Sequence, residues 1–417
     1  MAPTDLQRTI DAVWRIESAK LIAGLTRVVG DVGLAEDLAQ DALVAALEQW
    51  PAAGVPDNPG AWLMATAKHR AIDVVRRDRR LERKRSELLA ELAARGAPED
   101  LDAELDDDIG DDLLALMFLV CHPVLPAEAR VALTLRLLGG LSTAEIARAF
   151  LAPEPTIAQR IVRAKRALAQ ADVPFELPRG TERSARLASV LEVLYLVFNE
   201  GYSATAGDDW MRPALCEEAL RLARILAGLA PEEPEVHGLV ALLELQASRA
   251  RARVGATGEP ILLLDQDRAR WDGVLIARGL AALERAEQLG GARGPYALQA
   301  AIAACHARAR EAADTDWARI AALYATLAAV APSPVVELNR AVAIGMAEGA
   351  AAALTLVERL ASEPALARYP WLASVRGDLL AKLGRRSEAR AQFERAAALN
   401  ENARERAVLL RRAAECS

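Results

Sequence analysis

Hydrophobic positions recur with a helical period along most of this 417-residue chain, and the strict alternation typical of strands is almost absent. The pattern is clearest between Leu141 and Leu168, where two short apolar-periodic segments flank a proline-containing break. The second segment carries an apolar stripe formed by Ile157, Ile161 and Leu168. We therefore predict an all-α protein that contains two short helices joined by a turn.

This helix pair has the features of a helix-turn-helix. Ser142 and Glu145 have the spacing of a capping box, and Pro155 suits a first helical position because no amide donor is needed there. Arginines and a glutamine lie off the apolar stripe of the second helix, as expected for a helix that enters a major groove. An amphipathic helix pair that never binds DNA has the same pattern, so the motif alone leaves both interpretations open.

Composition limits the possible classes of protein. A net charge of −7 argues against a generic nucleic-acid coat but allows a local basic face. The four cysteines form no CxxC pair and histidines are few, so we predict no metal site and no cofactor, in a reducing compartment. No catalytic motif is evident, and we predict a non-enzymatic protein. Without an apolar leader or a long apolar run, we expect a cytoplasmic chain with no membrane contact.

Charge divides the chain into blocks. Residues 68–85 hold nine basic and three acidic side chains, whereas residues 86–112 hold eleven acidic side chains and one arginine. Like-charge runs resist packing, so the acidic stretch is predicted to be a linker. The predicted domains are a helical bundle at 5–80, an acidic linker at 81–112, the helix-turn-helix domain at 113–172 and a C-terminal helical domain at 181–417.

The C-terminal block alternates apolar helical runs with proline-containing breaks. Near its end, Gly349 and Gly384 lie about one tetratricopeptide-repeat length apart. We predict a helical, tetratricopeptide-like domain with clear repeats only near its end. The segment from Asn199 to Tyr202, with Tyr195 and Trp210 nearby, is either a helix end with a buried hydrogen bond or part of a ligand site.

Two segments of the N-terminal block have the residue patterns that are most informative about function. Ala35–Trp50 is amphipathic with a mainly acidic face, and Asn58–Arg80 combines an apolar stripe with many basic side chains. These segments resemble conserved region two of the extracytoplasmic-function sigma factors, which recognise promoters for bacterial RNA polymerase, and the helix-turn-helix resembles region four. From residue 181 onward, beginning near VLYLVFNEGYSAT, the chain is similar to the extension of a subgroup that ends in tetratricopeptide-like repeats.

The resemblance implies roles for individual residues. It implies core-polymerase contacts at Asp37, Leu38, Gln40, Asp41 and Trp50. It implies minus-ten DNA contacts at Asp57, Asn58, Trp62, Lys68, His69, Arg70, Asp73, Arg76 and Arg77. It implies minus-thirty-five DNA contacts at Thr156, Gln159, Arg160, Arg163, Lys165 and Arg166. Amphipathic helices usually bury tryptophan, so core packing is the preferred interpretation of Trp14, Trp50 and Trp62, with base stacking as the alternative.

The sequence departs from the family pattern at three positions. His69 stands where an asparagine is common, and Leu151 and Pro155 stand where many relatives carry glycine. A different base contact and a stiffer turn are the expected consequences.

The resemblance predicts an alternative sigma factor that binds core RNA polymerase and promoter DNA. Its fused C-terminal domain is expected to regulate it, to contact the sigma half or to bind a protein or peptide. The alternatives are a helix-turn-helix regulator that acts without polymerase and an interaction scaffold built on the repeats. Ala35–Trp50 separates the first two, because a plain regulator has no need of a polymerase-binding helix.

Overall fold

The computed structural model describes residues 3–90, 109–204, 207, 209–255 and 258–416. Over these ranges the chain forms α-helices and short 3-10 helices without a β-strand, which confirms the all-α prediction. The helices group into two compact units, residues 1–193 and residues 194–417. Most of the predicted acidic linker, residues 91–108, lies outside the described residues.

The first unit holds the two predicted sigma-like modules. Its helices are α1 (Pro3–Val29), α2 (Val32–Ala53), α3 (Pro59–Ala90), α4 (Ile109–Val120), α5 (Ala127–Leu137), α6 (Thr143–Ala149), α7 (Glu154–Gln170) and the first part of α8 (Gly180–Tyr202). Helix α3 continues past residue 80 and α4 begins before residue 113, so both ends of the predicted linker are helical.

Short polar residues fix where α2 and α3 begin. The Asp31 carboxylate accepts a hydrogen bond from the Leu34 amide at 2.7 Å, and the Asn58 side chain accepts one from the Ala61 amide at 3.1 Å. Each bond satisfies an amide that has no partner within its helix. After α2, Gly54 has a φ of +84°, which glycine adopts without steric cost. The two helix caps and Gly54 together fix the turn between α2 and α3, and this turn allows the two helices to pack against each other.

The core of α1–α3 is built from leucine, isoleucine and alanine. Its buried members include Leu21, Ile22, Leu25, Ala35, Ala42, Ala46, Leu63 and Ala67. Alanine is frequent on the inner face of α2, where its small side chain allows close helix approach. Each fully buried leucine or isoleucine stabilises this bundle by about 1.5–3 kcal/mol.

The predicted helix-turn-helix is present as α6 and α7. The Ser142 amide donates to the Glu145 carboxylate at 2.8 Å, and the Glu145 amide donates to the Ser142 hydroxyl at 3.2 Å, so the capping box is confirmed. In the turn, Leu151 has a φ of +49°, a conformation that crowds its β-carbon. Pro155 is the second residue of α7, one position after the predicted first, and it still lies in the first turn, where no amide partner is needed.

The second unit is a succession of helices packed mainly against their sequence neighbours. It continues α8 and adds α9 (Pro213–Leu229), α10 (Pro234–Ala247), α11 (Gly273–Gln288), α12 (Pro295–Arg308), α13 (Trp317–Val330), α14 (Pro334–Ala347), α15 (Ala350–Leu360), α16 (Pro370–Lys382), α17 (Arg386–Leu399) and α18 (Ala403–Glu415). Several of these helices begin with proline, whose missing amide costs nothing at that position.

Glycine permits the helix pairs predicted near the C-terminal end. Gly384 separates α16 from α17 with a φ of +77°. Within α16, a β-carbon added at Gly377 would lie 2.9 Å from the Phe393 ring of α17, so only glycine allows this approach. The repeat-like pair is therefore held by a glycine turn and a glycine contact.

The last helix of the second unit is bonded to the segment that follows α8. The Asn402 side-chain amide donates to the carbonyls of Ala204 and Asp209 at 3.2 and 3.0 Å. The Glu405 carboxylate accepts from the Trp210 indole at 2.9 Å. These bonds join the beginning and the end of the unit.

Candidate nucleic-acid interface

Helix α7 separates a buried stripe from an exposed polar face. The buried residues are Ile157, Ile161, Ala164 and Leu168. The exposed residues of the predicted reading set are Thr156, Gln159, Arg163 and Arg166. Arginine can pair with guanine and glutamine with adenine in the major groove, while other basic side chains bind phosphates. This face therefore has the chemistry needed to read base edges, and its contacts with DNA stay a prediction.

A groove of about 340 Å³ lies between α5 and α7 and is lined by Thr156, Gln159 and Arg163. Arg160 also lines it, and its guanidinium lies 2.6 Å from the Glu128 carboxylate of α5. Glu128 is exposed, so this ion pair is weak and Arg160 can leave it for a phosphate.

Lys165 points away from the reading face. Its ammonium is ion-paired with the Glu36 carboxylate of α2, and Glu36 also binds the Arg136 guanidinium of α5 at 2.6 Å. The Glu36 side chain is only 4% exposed. Lys165 can therefore contact DNA only after this ion pair breaks.

The Glu36 cluster (Glu36, Arg136 and Lys165) belongs to a wider contact between α1–α2 and α4–α7. Arg15 of α1 binds Glu145 of α6 at 2.8 Å. Arg27 of α1 lies 3.4 Å from the buried Asp112 of α4. Ion pairs thus link the two predicted sigma-like modules directly.

The outer face of α2 combines acidic and apolar side chains. Asp37 and Asp41 are exposed there, as the polymerase-contact prediction requires. Val44 and Leu47 are also exposed, at 50% and 37%. The sequence interpretation missed these two residues, although their position off the buried alanine stripe was a usable signal. Two neighbouring apolar residues beside carboxylates suit a protein-binding surface, and this role stays a prediction.

Two residues of the predicted polymerase set are interior. Leu38 and Trp50 are 5% and 2% exposed, so they support the α2 surface from beneath and do not lie on it. Gln40 is half-buried, and its side-chain amide donates to Glu36 at 2.7 Å. The direct contacts that remain predicted on α2 are therefore those of Asp37 and Asp41.

The predicted minus-ten residues follow the loop before α3 and one side of α3. Asp57 and Asn58 are exposed, and Asn58 is occupied as the helix cap. Trp62 is half-buried, with its ring 5.4 Å from that of Trp50 in an edge-to-face arrangement. The Trp62 ring is therefore held in place by the core.

Basic residues occupy the next turns of α3. His69, Asp73 and Arg76 are exposed, and Lys68 is half-buried. Arg70 lies 3.3 Å from the Asp41 carboxylate of α2. The Arg77 side chain lies outside the described part of the chain. The structure thus places a basic face beside the acidic face of α2.

The first part of α8 supports the helix-turn-helix module. Arg186 donates to the Phe118 carbonyl at 3.1 Å, and Ser189 donates to the Cys121 carbonyl at 2.5 Å. Arg130 of α5 lies 2.8 Å from Glu192. Burial raises the pKa of the Cys121 thiol to about 12, so it packs there as a neutral group. The predicted boundary at residue 181 therefore falls before residues that belong structurally to this module.

Among the described residues, no group of three or more histidine, cysteine, aspartate or glutamate side chains is placed to hold a metal ion. No described helix is both long enough and apolar enough to cross a membrane.

A helix-turn-helix with an exposed polar face, joined to a helical bundle with adjacent basic and acidic-apolar faces, is the arrangement expected of a DNA-binding protein of the transcription machinery. Family models agree: residues 17–81 match Sigma-70 region 2, and residues 115–168 match Sigma-70 region 4. Residues 186–287 match a family of unknown function, DUF6596. The chain belongs to the sigma-70 family and is an alternative sigma factor of the extracytoplasmic-function type with a C-terminal extension.

A relative in Rhizobium meliloti (strain 1021), described as an uncharacterized protein, is 46% identical over 389 residues. The match covers 93% of this chain and 91% of the relative. The two proteins are therefore similar across both the sigma modules and the extension. As a sigma factor, the chain directs promoter-specific initiation with core RNA polymerase and promoter DNA as its partners.

Proposed function

We propose that three surfaces of the first unit each bind a different partner during transcription initiation. The outer face of α2 binds core polymerase, the loop before α3 and the basic side of α3 hold minus-ten DNA, and the exposed face of α7 reads minus-thirty-five DNA. The observation that carries this proposal is the separation of the three sets of exposed side chains by residue chemistry. The chain is expected to do this in the cytoplasm and without catalysis.

On the polymerase surface, Asp37 and Asp41 supply charge and Val44 and Leu47 supply apolar area. Buried apolar contacts dominate most interfaces, whereas exposed charges contribute mainly to orientation and association rate. We therefore expect Val44 and Leu47 to carry much of the affinity.

Binding of the purified chain to core RNA polymerase tests this surface. Val44→Asp combined with Leu47→Asp should weaken binding at least tenfold, about 1.4 kcal/mol. Ile16→Asp is the matched control, because Ile16 is 62% exposed on α1 and outside the proposed surface. Equal affinity of the double variant and the control would exclude this face of α2.

On the minus-ten surface, the predicted phosphate contacts are Lys68 and Arg76, with His69 and Trp62 towards the bases. Unpaired bases are held by stacking and by a basic track along the backbone, and α3 offers both. Trp62 is positioned for stacking because Trp50 fixes its ring, although its partial burial limits it to one exposed side.

The contact between the two modules has to be compared with the distance between the two promoter elements that they are proposed to bind. Elements centred near minus ten and minus thirty-five are about 25 base pairs apart, roughly 85 Å at 3.4 Å per pair. In the structure, α2 and α7 are joined through Glu36. We infer that the Glu36 cluster opens when the two modules bind their separate promoter elements.

For the second unit we propose a regulatory or partner-binding role. Transcription by the full chain and by a chain ending at residue 193 tests it, because residues 182–192 are bonded to the helix-turn-helix module and have to be kept. Equal promoter-dependent transcription by both would exclude a regulatory role under those conditions.

A further inference from the structure

Two arginine runs lie in the connection between α10 and α11 of the second unit. The first reads Arg249-Ala-Arg-Ala-Arg253 around a 3-10 helix at Ala250–Ala252, and the second reads Arg268-Ala-Arg270 on a 3-10 helix at Arg268–Arg270. These two short helices contact each other. The fold therefore brings five arginines together that no sigma module uses.

Three of the five arginines point inward and alternate with aromatic rings. Arg253 lies 3.3 Å from the Tyr202 ring centre and 4.2 Å from that of Trp210. Arg249 lies 5.8 Å from the Tyr202 ring centre and 5.7 Å from that of Trp271. Aromatic faces stabilise these cations but do not neutralise them.

Arg268 completes this arrangement. Its guanidinium lies 4.9 Å from the Trp271 ring centre and donates to the carbonyls of His306 and Ala309 at 2.5 and 2.8 Å. These carbonyls lie at the end of α12, so Arg268 caps that helix. Carbonyl dipoles offset part of its charge, and Asp314 offsets a further part.

The carboxylates that act on this cluster do so at a distance: Glu405 favours the Arg253 cation and Asp314 favours the Arg268 cation. Within the described chain, none of the five arginines has a carboxylate within 4.0 Å. Asp272 lies next to Trp271, but its carboxylate is used to cap α11 through the Val274 and Leu275 amides at 2.9 and 3.1 Å. Burial lowers the pKa of Arg253 to about 10, with repulsion from Arg249 adding to the effect.

Several buried polar groups at the same place have no hydrogen-bond partner among the described residues. They are the Gln266 carbonyl oxygen, the Trp271 indole nitrogen, His306 Nδ1 and Arg268 Nε. Gln266, Trp271 and His306 are each 7–8% exposed. Buried polar atoms are nearly always satisfied, so these atoms are open to hydrogen bonds with solvent or with a bound group.

A surface cavity of about 690 Å³ adjoins this cluster. Trp271 forms part of its wall together with Ala250, Val254 and Ala269, and the exposed arginines Arg251 and Arg270 line it. Asp272 also lines it, with its carboxylate bonded to the first amides of α11. The volume is that of a small-molecule site, and the lining combines apolar wall with cationic groups. The planar guanidinium group of arginine can donate two parallel hydrogen bonds to two oxygens of one phosphate group.

We propose that this cavity binds a small organic phosphate. Arg251 and Arg270 hold the phosphate group, the inner arginines supply positive potential, and the organic part lies against Trp271. The second unit is then a ligand-sensing domain of the sigma factor. The site does not depend on how the sigma modules bind promoter or polymerase.

Calorimetric titration of the full chain with phenyl phosphate, and with inorganic phosphate as the ion alone, tests the proposal. We expect saturable binding of both at millimolar concentrations or below, with phenyl phosphate the tighter. Arg251→Ala combined with Arg270→Ala should weaken binding at least tenfold. Arg293→Ala combined with Arg359→Ala is the charge-matched control and should leave it unchanged, because both residues are exposed elsewhere in the second unit.

Three results would overturn the proposal. The first is that neither probe shows saturable binding. The second is that the Arg251/Arg270 variant binds the probes as tightly as the wild type does. The third is that duplex DNA binds at these arginines while neither phosphate does. A circular-dichroism spectrum and melting temperature equal to those of the control variant exclude unfolding as the cause of lost binding.

Discussion

At the scale of single residues, Leu151 is the clearest conflict between local geometry and side chain. Its φ of +49° is costly for a residue with a β-carbon, and the side chain is 58% exposed, so little packing offsets the strain. The turn between α6 and α7 is held in place by the capped helices on either side of it.

Replacing Leu151 with glycine should therefore stabilise the protein by about 1 kcal/mol. A urea titration of the full chain measures this change. Ala158→Gly on the exposed side of α7 is the control and should lower stability by about 1 kcal/mol, because glycine is unfavourable within a helix. A loss of stability on Leu151→Gly would contradict the assignment of strain at this turn.

His306 should contribute to the loss of stability as the pH falls below 6.5. Burial, together with the positive charges of Arg249 and Arg268, lowers its pKa from the usual 6.5 to about 4. The folded protein keeps this ring neutral while the unfolded chain protonates it. The stabilisation is therefore complete above pH 6.5 and is lost as pH falls towards 4.

Between pH 6.5 and 5 this effect should cost about 2 kcal/mol of the free energy of unfolding. His306→Gln removes the titrating group, so its stability should fall less than that of the wild type over the same interval. Urea titrations at the two pH values measure the difference. Parallel losses in both proteins would show that His306 does not titrate in this way.

At the scale of secondary-structure elements, α7 buries one apolar stripe and presents its reading face to solvent. Gln159 and Arg163 are exposed on that face, one turn apart. Removal of a base contact usually costs about 1–3 kcal/mol, whereas removal of a phosphate contact weakens binding to all sequences alike.

Gln159→Ala and Arg163→Ala should each reduce discrimination between the cognate and a scrambled minus-thirty-five element by roughly 10- to 100-fold. Promoter binding by the polymerase complex measures it. Gln170→Ala, at the far end of α7, is the control and should bind normally. Full discrimination by both variants would mean that another face of the module reads the element.

The sequence predicted these elements well where the signal is local. The Ser142–Glu145 capping box, the apolar stripe of α7 and the turn at Gly384 each depend on neighbouring residues, and all are present. The features that depend on tertiary packing were harder to predict from the sequence. Periodicity placed Leu38 on the inward face of α2, and the usual burial of tryptophan favoured a core position for Trp50; both are interior. Periodicity did not single out Val44 and Leu47 as exposed apolar residues.

The support that α8 gives to the helix-turn-helix module was also not predicted. Arg186 and Ser189 bond to backbone carbonyls nearly seventy residues earlier, and such contacts leave no local pattern. The sequence singled out Tyr202 and Trp210 as part of a possible ligand site, but not the arginines beside them. Tyr202, Arg249 and Trp271 meet only after folding.

At the scale of the whole molecule, the first unit holds its two modules together through ion pairs. Glu36 is the centre of this contact because it serves both Arg136 and Lys165 while nearly buried. Removal of one partner from a buried ion pair typically costs about 3–5 kcal/mol. The contact between modules should therefore be sensitive to this one carboxylate.

Glu36→Gln should lengthen the distance between spin labels placed at Ile16→Cys on α1 and Val162→Cys on α7, measured in a Cys416→Ser background. Glu128→Gln is the control, because its ion pair joins α5 to α7 within one module. The wild type should show the same lengthening when core polymerase and promoter bind. An unchanged distance in the variant and in the complex would contradict opening at Glu36.

In vitro transcription with purified core RNA polymerase on a genomic fragment library tests the central claim most directly. The full chain should produce discrete transcripts whose start sites share minus-ten and minus-thirty-five elements, and Val44→Asp with Leu47→Asp should abolish them while Ile16→Asp keeps them. Transcripts no different from those of core enzyme alone, with the chain folded and present in excess, would contradict the account.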